Sequence, residues 1–80
     1  MMMKEEEIKD RLMSSNPEFR RLVEEHRLYD GRLSELNRRH MTEQDYLEEV
    51  QLKKKKLHLK DQMNAMIHKF KSEQLAHQHT

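Results

Sequence analysis

The sequence predicts an all-α fold: an antiparallel, coiled-coil-like helical hairpin with a short N-terminal helix, dimerising into a four-helix arrangement. Three observations point there. The 80 residues include one Gly and one Pro, and 39% are charged, a composition of long helices with few breakers. Apolar residues recur three and four apart through the first half of the chain, the spacing of one helix face. Two helix-start signals, at Ser15-Asn16-Pro17-Glu18 and at Thr42-Glu43-Gln44-Asp45, divide the chain into three segments. Chains this short rarely build a self-sufficient core without a staple or an assembly, and cysteine is absent, which excludes disulfides and thiolate metal sites.

The first segment, 1–15, is expected to form a short helix, with Ile8, Leu12 and Met13 as its apolar set. Helix one follows over 16–37. Asn16 before Pro17 fits an N-cap followed by proline at the first helical position, and Ser15 with Glu18 fits a capping box. Phe19, Leu22, Val23, His26, Tyr29, Leu33 and Leu36 fall in one arc of about 140° and form the hairpin seam. Leu28 stands alone on the opposite side. Gly31 interrupts the helix interior at a cost of about 1 kcal/mol relative to alanine. The seam continues past it, so the helix is expected to weaken there without ending.

Residues 38–41 form the turn, and a connection this short makes neighbouring helices antiparallel. Helix two is expected over 42–70, opened by Thr42 with acids in its first turn, where the helix dipole favours them. The tail, 71–80, loses the pattern and is expected to fray. Because helix two is the longer, Ile8, Leu12 and Met13 should cover its overhang beside Met66, Ile67 and Phe70.

Helix two carries two apolar arcs. Counting from Tyr46 at 0°, Leu52, Leu59, Met63, Met66 and Phe70 lie at about 200–260°, and Tyr46, Val50 and Leu57 at about 0–40°. One narrow partner stripe does not cover both, so a second partner is implied, and another copy of the chain is the simplest. The run Lys53-Lys54-Lys55-Lys56 fans around the helix, since consecutive residues are about 100° apart. Lys54 and Lys55 point to solvent. Lys53, Lys56 and Lys60 lie between the arcs, their stems over apolar surface. Glu25 and Asp30, flanking the seam, are the expected charge partners of Lys53 and Lys56, and Glu49 is an i,i+4 partner of Lys53. The expected interaction surface is Leu52, Lys53, Lys56, Leu59, Lys60, Met63, Met66 and Phe70.

"NPEFRRLVEEH" (16–26), the stretch from Leu28 to Leu36 with Asp30 inside it, and "LKKKKLHLKDQM" (52–63) resemble the YdcH-like family of small bacterial proteins. The similarity spans about residues 14–67. It implies a small helical hairpin of bacterial, cytoplasmic origin. That family has no assigned function, so the resemblance implies no catalytic residues. Its members usually carry a helix former where this chain has Gly31.

Net charge is +1, but residues 1–50 carry 9 Lys/Arg against 13 Asp/Glu, and residues 51–80 carry 7 against 2. Halves of opposite sign favour folding back or pairing with a copy. His26 on the seam reads as a packed or edge histidine. His58, His68, His77 and His79 make no i,i+3 or i,i+4 pair, the spacing a helical metal site needs, and only His77 with His79 offers a weak metal pair. No nucleophile, glycine-rich loop or concave pocket is foreshadowed. No catalytic residue, cofactor or metal is therefore expected. No apolar run approaches the roughly 18 residues of a membrane span, and the first residues lack an apolar signal-peptide core. The expected function is a cytoplasmic, non-enzymatic protein–protein interaction module, self-associating or contacting another protein. The alternative is weak, sequence-independent nucleic-acid binding through the lysine run and Arg38-Arg39. That alternative lacks interleaved aromatics for base stacking. Membrane-surface binding is disfavoured because the stripe has no Trp and is needed for the core.

Overall fold

The computed structural model describes residues 3–78, with side chains as far as Gln74. It is a three-helix chain: α1 (Glu5–Ser15), α2 (Pro17–Asn37) and α3 (Glu43–Gln78). Its extents are 58 × 20 × 18 Å. The long dimension is roughly that of α3 alone, since 36 residues rise about 54 Å.

One residue makes the first junction. Pro17 disfavours the helical region for the residue before it, and Asn16 is extended (φ −123°, ψ 105°). Its N–H still donates to Leu12 O (2.8 Å), closing α1. Its Oδ1 accepts from the N–H groups of Glu18 (3.0 Å) and Phe19 (3.2 Å), opening α2. The Ser15–Glu18 capping box is not made. The Ser15 hydroxyl donates back to Arg11 O instead (2.7 Å). The sharp bend brings α1 against both other helices.

At the far end, Thr42 and Asp45 cap α3 reciprocally. The Asp45 N–H donates to Thr42 Oγ1 (3.1 Å), and the Thr42 N–H donates to the Asp45 carboxylate (3.1 Å), which satisfies two otherwise unpaired donors of the first turn. Arg39 holds the same carboxylate from the turn (3.1 Å).

The core is in two clusters. At the open end Ile8, Leu12, Phe19 and Ile67 are buried, with Met13, Val23, Met63, Met66 and Phe70 packed against them. At the turn end Leu33, Leu36 and Leu52 are buried, with Tyr29 and Met41 beside them. Leu22 and Leu59 are also buried.

One boundary is modified, and the expected continuity of α2 through Gly31 is observed. Helix α3 does not stop near Phe70 but continues to Gln78. The segment after Phe70 contains neither Gly nor Pro, so loss of the apolar pattern does not stop the backbone from continuing the ladder. The last two residues of the expected frayed tail lie outside the described residues. Gly31 does not interrupt α2. Its φ is not positive, and a Cβ added there meets nothing within 4 Å. Gly31→Ala is therefore expected to stabilise the chain by about 1 kcal/mol, read as a higher urea midpoint at unchanged slope. A midpoint that fails to rise would place Gly31 outside a helix in solution.

Candidate interaction surface

The lysine run sits at mid-length on α3, and its four side chains have different surroundings. Lys56 is half-buried and ion-paired across the hairpin to Asp30. That hydrogen bond is the main reason the Asp30 carboxyl is held below its ordinary range, with the nearby charges of Lys56 and His26 adding to it. Lys53 is exposed and pairs with Glu49 on its own helix (3.4 Å). Lys54 and Lys55 are exposed. Of the expected cross-hairpin pairs, Lys56–Asp30 is formed. Glu25 is held by Arg21 one turn away (2.7 Å), so neither Lys53 nor Lys56 engages it. A neighbour on the same helix is always within reach, whereas a cross-hairpin partner depends on register.

A cross-hairpin pair not foreseen is Arg32 with Glu48. The Arg32 Nε and Nη2 donate to the two Glu48 oxygens (2.6 and 3.0 Å), and Arg32 Nη1 also reaches Glu35 (3.2 Å). These donated hydrogen bonds pull the Glu48 carboxyl below its ordinary range and push the Arg32 guanidinium up. The signal was present in the numbering, because Arg32 and Glu48 are equally far from the middle of the turn. The side chains are 41% and 37% exposed, so the pair selects register more than it adds stability.

Asp30, Asp45 and Glu48 all have lowered carboxyl values, Asp45 chiefly through the Thr42 N–H. The folded state therefore binds fewer protons than the unfolded state in mild acid. Their contribution is fully present above the ordinary carboxylate range and is lost as pH falls through the folded values. The urea midpoint should drop from about pH 5 downward, and Glu48→Gln should flatten part of that drop. An unchanged acid limb in Glu48→Gln would remove Glu48 from this account.

The expected interaction residues divide. Leu52 and Leu59 are 8% and 6% exposed, and Met63, Met66 and Phe70 are half-buried against the open-end cluster. Leu52 and Leu59 are taken up by the hairpin core, whereas Met63, Met66 and Phe70 keep part of their surface outside it. Lys53 and Lys60 are exposed at its edge. On the seam, Phe19, Leu22, Leu33 and Leu36 are buried, while Val23, His26 and Tyr29 are half-buried. His26 Nδ1 lies 3.6 Å from Asp30. Among the described residues no group of three His, Asp or Glu side chains is placed to hold a metal ion. His77 and His79 fall outside the residues whose side chains are described.

The other arc of α3 is left exposed: Tyr46, Val50 and Leu57 are 57%, 50% and 61% exposed, and Leu47, about 100° round the helix from Tyr46, is 65% exposed. Next to it an open groove of about 690 Å³ is lined by α2 and α3, with Lys9 and Met13 of α1 at one end. Phe19, Val23, Met63 and Ile67 contribute apolar lining, and Lys9, Arg27, Lys53, Lys56 and Lys60 the cations, with no Asp or Glu among the lining residues. Leu57 belongs to both surfaces.

A family model described as "Protein of unknown function (DUF465)" matches residues 19–67, from the first turn of α2 through the lysine run to Ile67. The chain belongs to this family. YdcH-like small proteins are part of it, in agreement with the motifs at 16–26 and 52–63. Family membership thus covers the hairpin, both cross-hairpin ion pairs and the exposed arc of α3, and leaves out α1. Neither the curated proteins nor the solved structures include a match to the chain. No described helix is long and apolar enough to cross a membrane.

Proposed function

We infer that this protein is a non-enzymatic helical interaction module of the cytoplasm, which acts by protein–protein contact through the exposed face of α3. The observation that carries this reading is the set Tyr46, Leu47, Val50 and Leu57, each at least half exposed on one helix, in a chain with only 34% apolar residues. Scattered exposed leucines are ordinary. Tyr46, Val50 and Leu57 share one helix face within about three turns, with Leu47 beside them, and a concentration of exposed apolar side chains of this kind marks contact sites. The neighbouring groove is lined by cations, His26, Asn64 and apolar side chains. The carboxylate beside the histidine, Asp30, is engaged by Lys56, and the lining offers no hydroxyl or thiol as a nucleophile.

The test is site-specific photocrosslinking in cells. A photoreactive side chain at Val50 or Leu57 should yield covalent protein adducts, and one at the exposed Ser34 on α2 should not. Binding of the purified chain to duplex DNA and to RNA at low and at physiological salt runs in parallel. Equal labelling from all three positions, or nucleic-acid affinity that persists at physiological salt, would overturn the reading. The latter would favour a phosphate contact through the lysine run and Arg38-Arg39.

A further inference from the structure

We propose that the partner of the exposed α3 face is the same face of a second copy, packed antiparallel so that Tyr46 lies opposite Leu57 of the second copy. This rests on the reading of the chain as an interaction module and names the module's partner. The first argument is periodicity. Glu43, Tyr46, Val50, Lys53, Leu57, Lys60 and Asn64 alternate three and four apart, a heptad seam on the side of α3 away from the buried leucines. It is a second seam on a helix whose first seam is already used by α2.

Charge supplies the orientation. From residue 43 to 52, α3 carries Glu43, Asp45, Glu48 and Glu49 and no Lys or Arg. From 53 to 60 it carries five lysines and no acid. A parallel, in-register pair would stack Glu43 on Glu43, Lys53 on Lys53 and Lys60 on Lys60. An antiparallel pair centred between Gln51 and Leu52 has the seam pairing of antiparallel helices. Tyr46 then meets Leu57, Val50 meets the stem of Lys53, and Glu43 meets Lys60, each pair occurring twice by the two-fold symmetry. Among the described residues Glu43 and Lys60 make no ion pair within their own chain, so both are available. Lys53 on the seam weakens the contact and fixes its register, as a polar seam residue does.

The groove agrees. Its α3 wall includes Lys53, Leu57 and Lys60. Lys9, Arg27, Lys53 and Lys56 are paired with Glu5, Glu24, Glu49 and Asp30, which leaves Lys60, beside Leu57, as the lining cation open to an acid on a helix with apolar side chains on one face. Residues 43–50 are such a helix, with Tyr46, Leu47 and Val50 exposed. In the antiparallel pair each copy lays its 43–50 segment along the other's groove wall.

The chain has no cysteine, so thiol crosslinking is free of background. Tyr46→Cys chains mixed with Leu57→Cys chains should be joined by a short bis-thiol crosslinker. Either variant alone should not, because like positions are then about 16 Å apart along the axis. Sedimentation equilibrium should give a dimer for the unaltered chain. Glu43→Lys and Lys60→Glu should each weaken it about three- to tenfold, and the two together should restore it. Leu57→Asp should give a monomer with undiminished helix content. Self-joined Tyr46→Cys chains would overturn the antiparallel register, and a dimer indifferent to Leu57→Asp would overturn the face. A monomer at all concentrations would overturn self-pairing. Adducts from Val50 to a different protein would then still support the interaction module, and their absence would end both readings.

Discussion

Phe19→Ala should lower the stability of the folded chain by about 3–5 kcal/mol. Phe19 is 1% exposed and belongs to the one cluster that draws on all three helices, with Ile8 and Leu12 from α1 and Ile67 from α3. The cluster surrounding it is methionine-rich, and methionine refills gaps more readily than branched side chains, which favours the lower end of the range. Total stability for 80 residues is expected at roughly 4–12 kcal/mol, so the loss is a large share of it. Urea unfolding followed by circular dichroism gives the number, at one fixed protein concentration because association adds to apparent stability. Hydrogen exchange gives the location: α1 amides should lose protection first, since α1 is held to the hairpin by this cluster. Leu28→Ala, at a position 70% exposed, is the control and should change stability by less than about 0.5 kcal/mol. A Phe19→Ala cost below about 1 kcal/mol would mean that α1 is not docked as described.

Leu36→Ala should cost about 2–5 kcal/mol, with a different footprint. Leu36 is 0% exposed and seals the turn end with Leu33 and Leu52. Its loss should speed exchange around the turn and in the first turns of α3, while α1 keeps its protection relative to the hairpin. The two sites are 17 residues apart on α2, about 25 Å along the axis, and share no cluster. Their effects should therefore add within about 0.5 kcal/mol. Gly31→Ala is a suitable background, because it restores some of the stability needed to measure the double variant. A coupling well above that limit would show that the two clusters act as one cooperative core.

Much of the fold was legible in the sequence because it depends on local chemistry. Pro17 excludes a helical Asn16, and the Asn16 side chain can cap the helix that Pro17 opens, so the first boundary is written in two residues. Thr42 and Asp45 do the same at the second. The seam from Phe19 to Leu36 is legible because α2 carries only one apolar arc. The α3 face was harder. Its two arcs are each consistent with a core stripe, and the wheel alone does not say which one meets α2. Of the arc assigned to an outer contact, the hairpin buries Leu52 and Leu59 and half-buries Met63, Met66 and Phe70. Leu47 sits about 100° from Tyr46 on the wheel and belongs to neither arc, so its exposure beside Val50 emerged only from the fold.

By itself the sequence determined that this chain is three helices, where the first two are joined and where the third begins. Those outcomes follow from backbone restriction at proline, from capping side chains and from the spacing of apolar residues. Only the tertiary structure decided that Lys56, and not Lys53, meets Asp30, that Glu48 is clasped by Arg32, and that Tyr46, Val50 and Leu57 remain outside. These depend on the rotation and register of α3 against α2. Rotation and register are set jointly by the turn and by the two apolar clusters, including the docking of α1, and no short stretch of sequence carries that information.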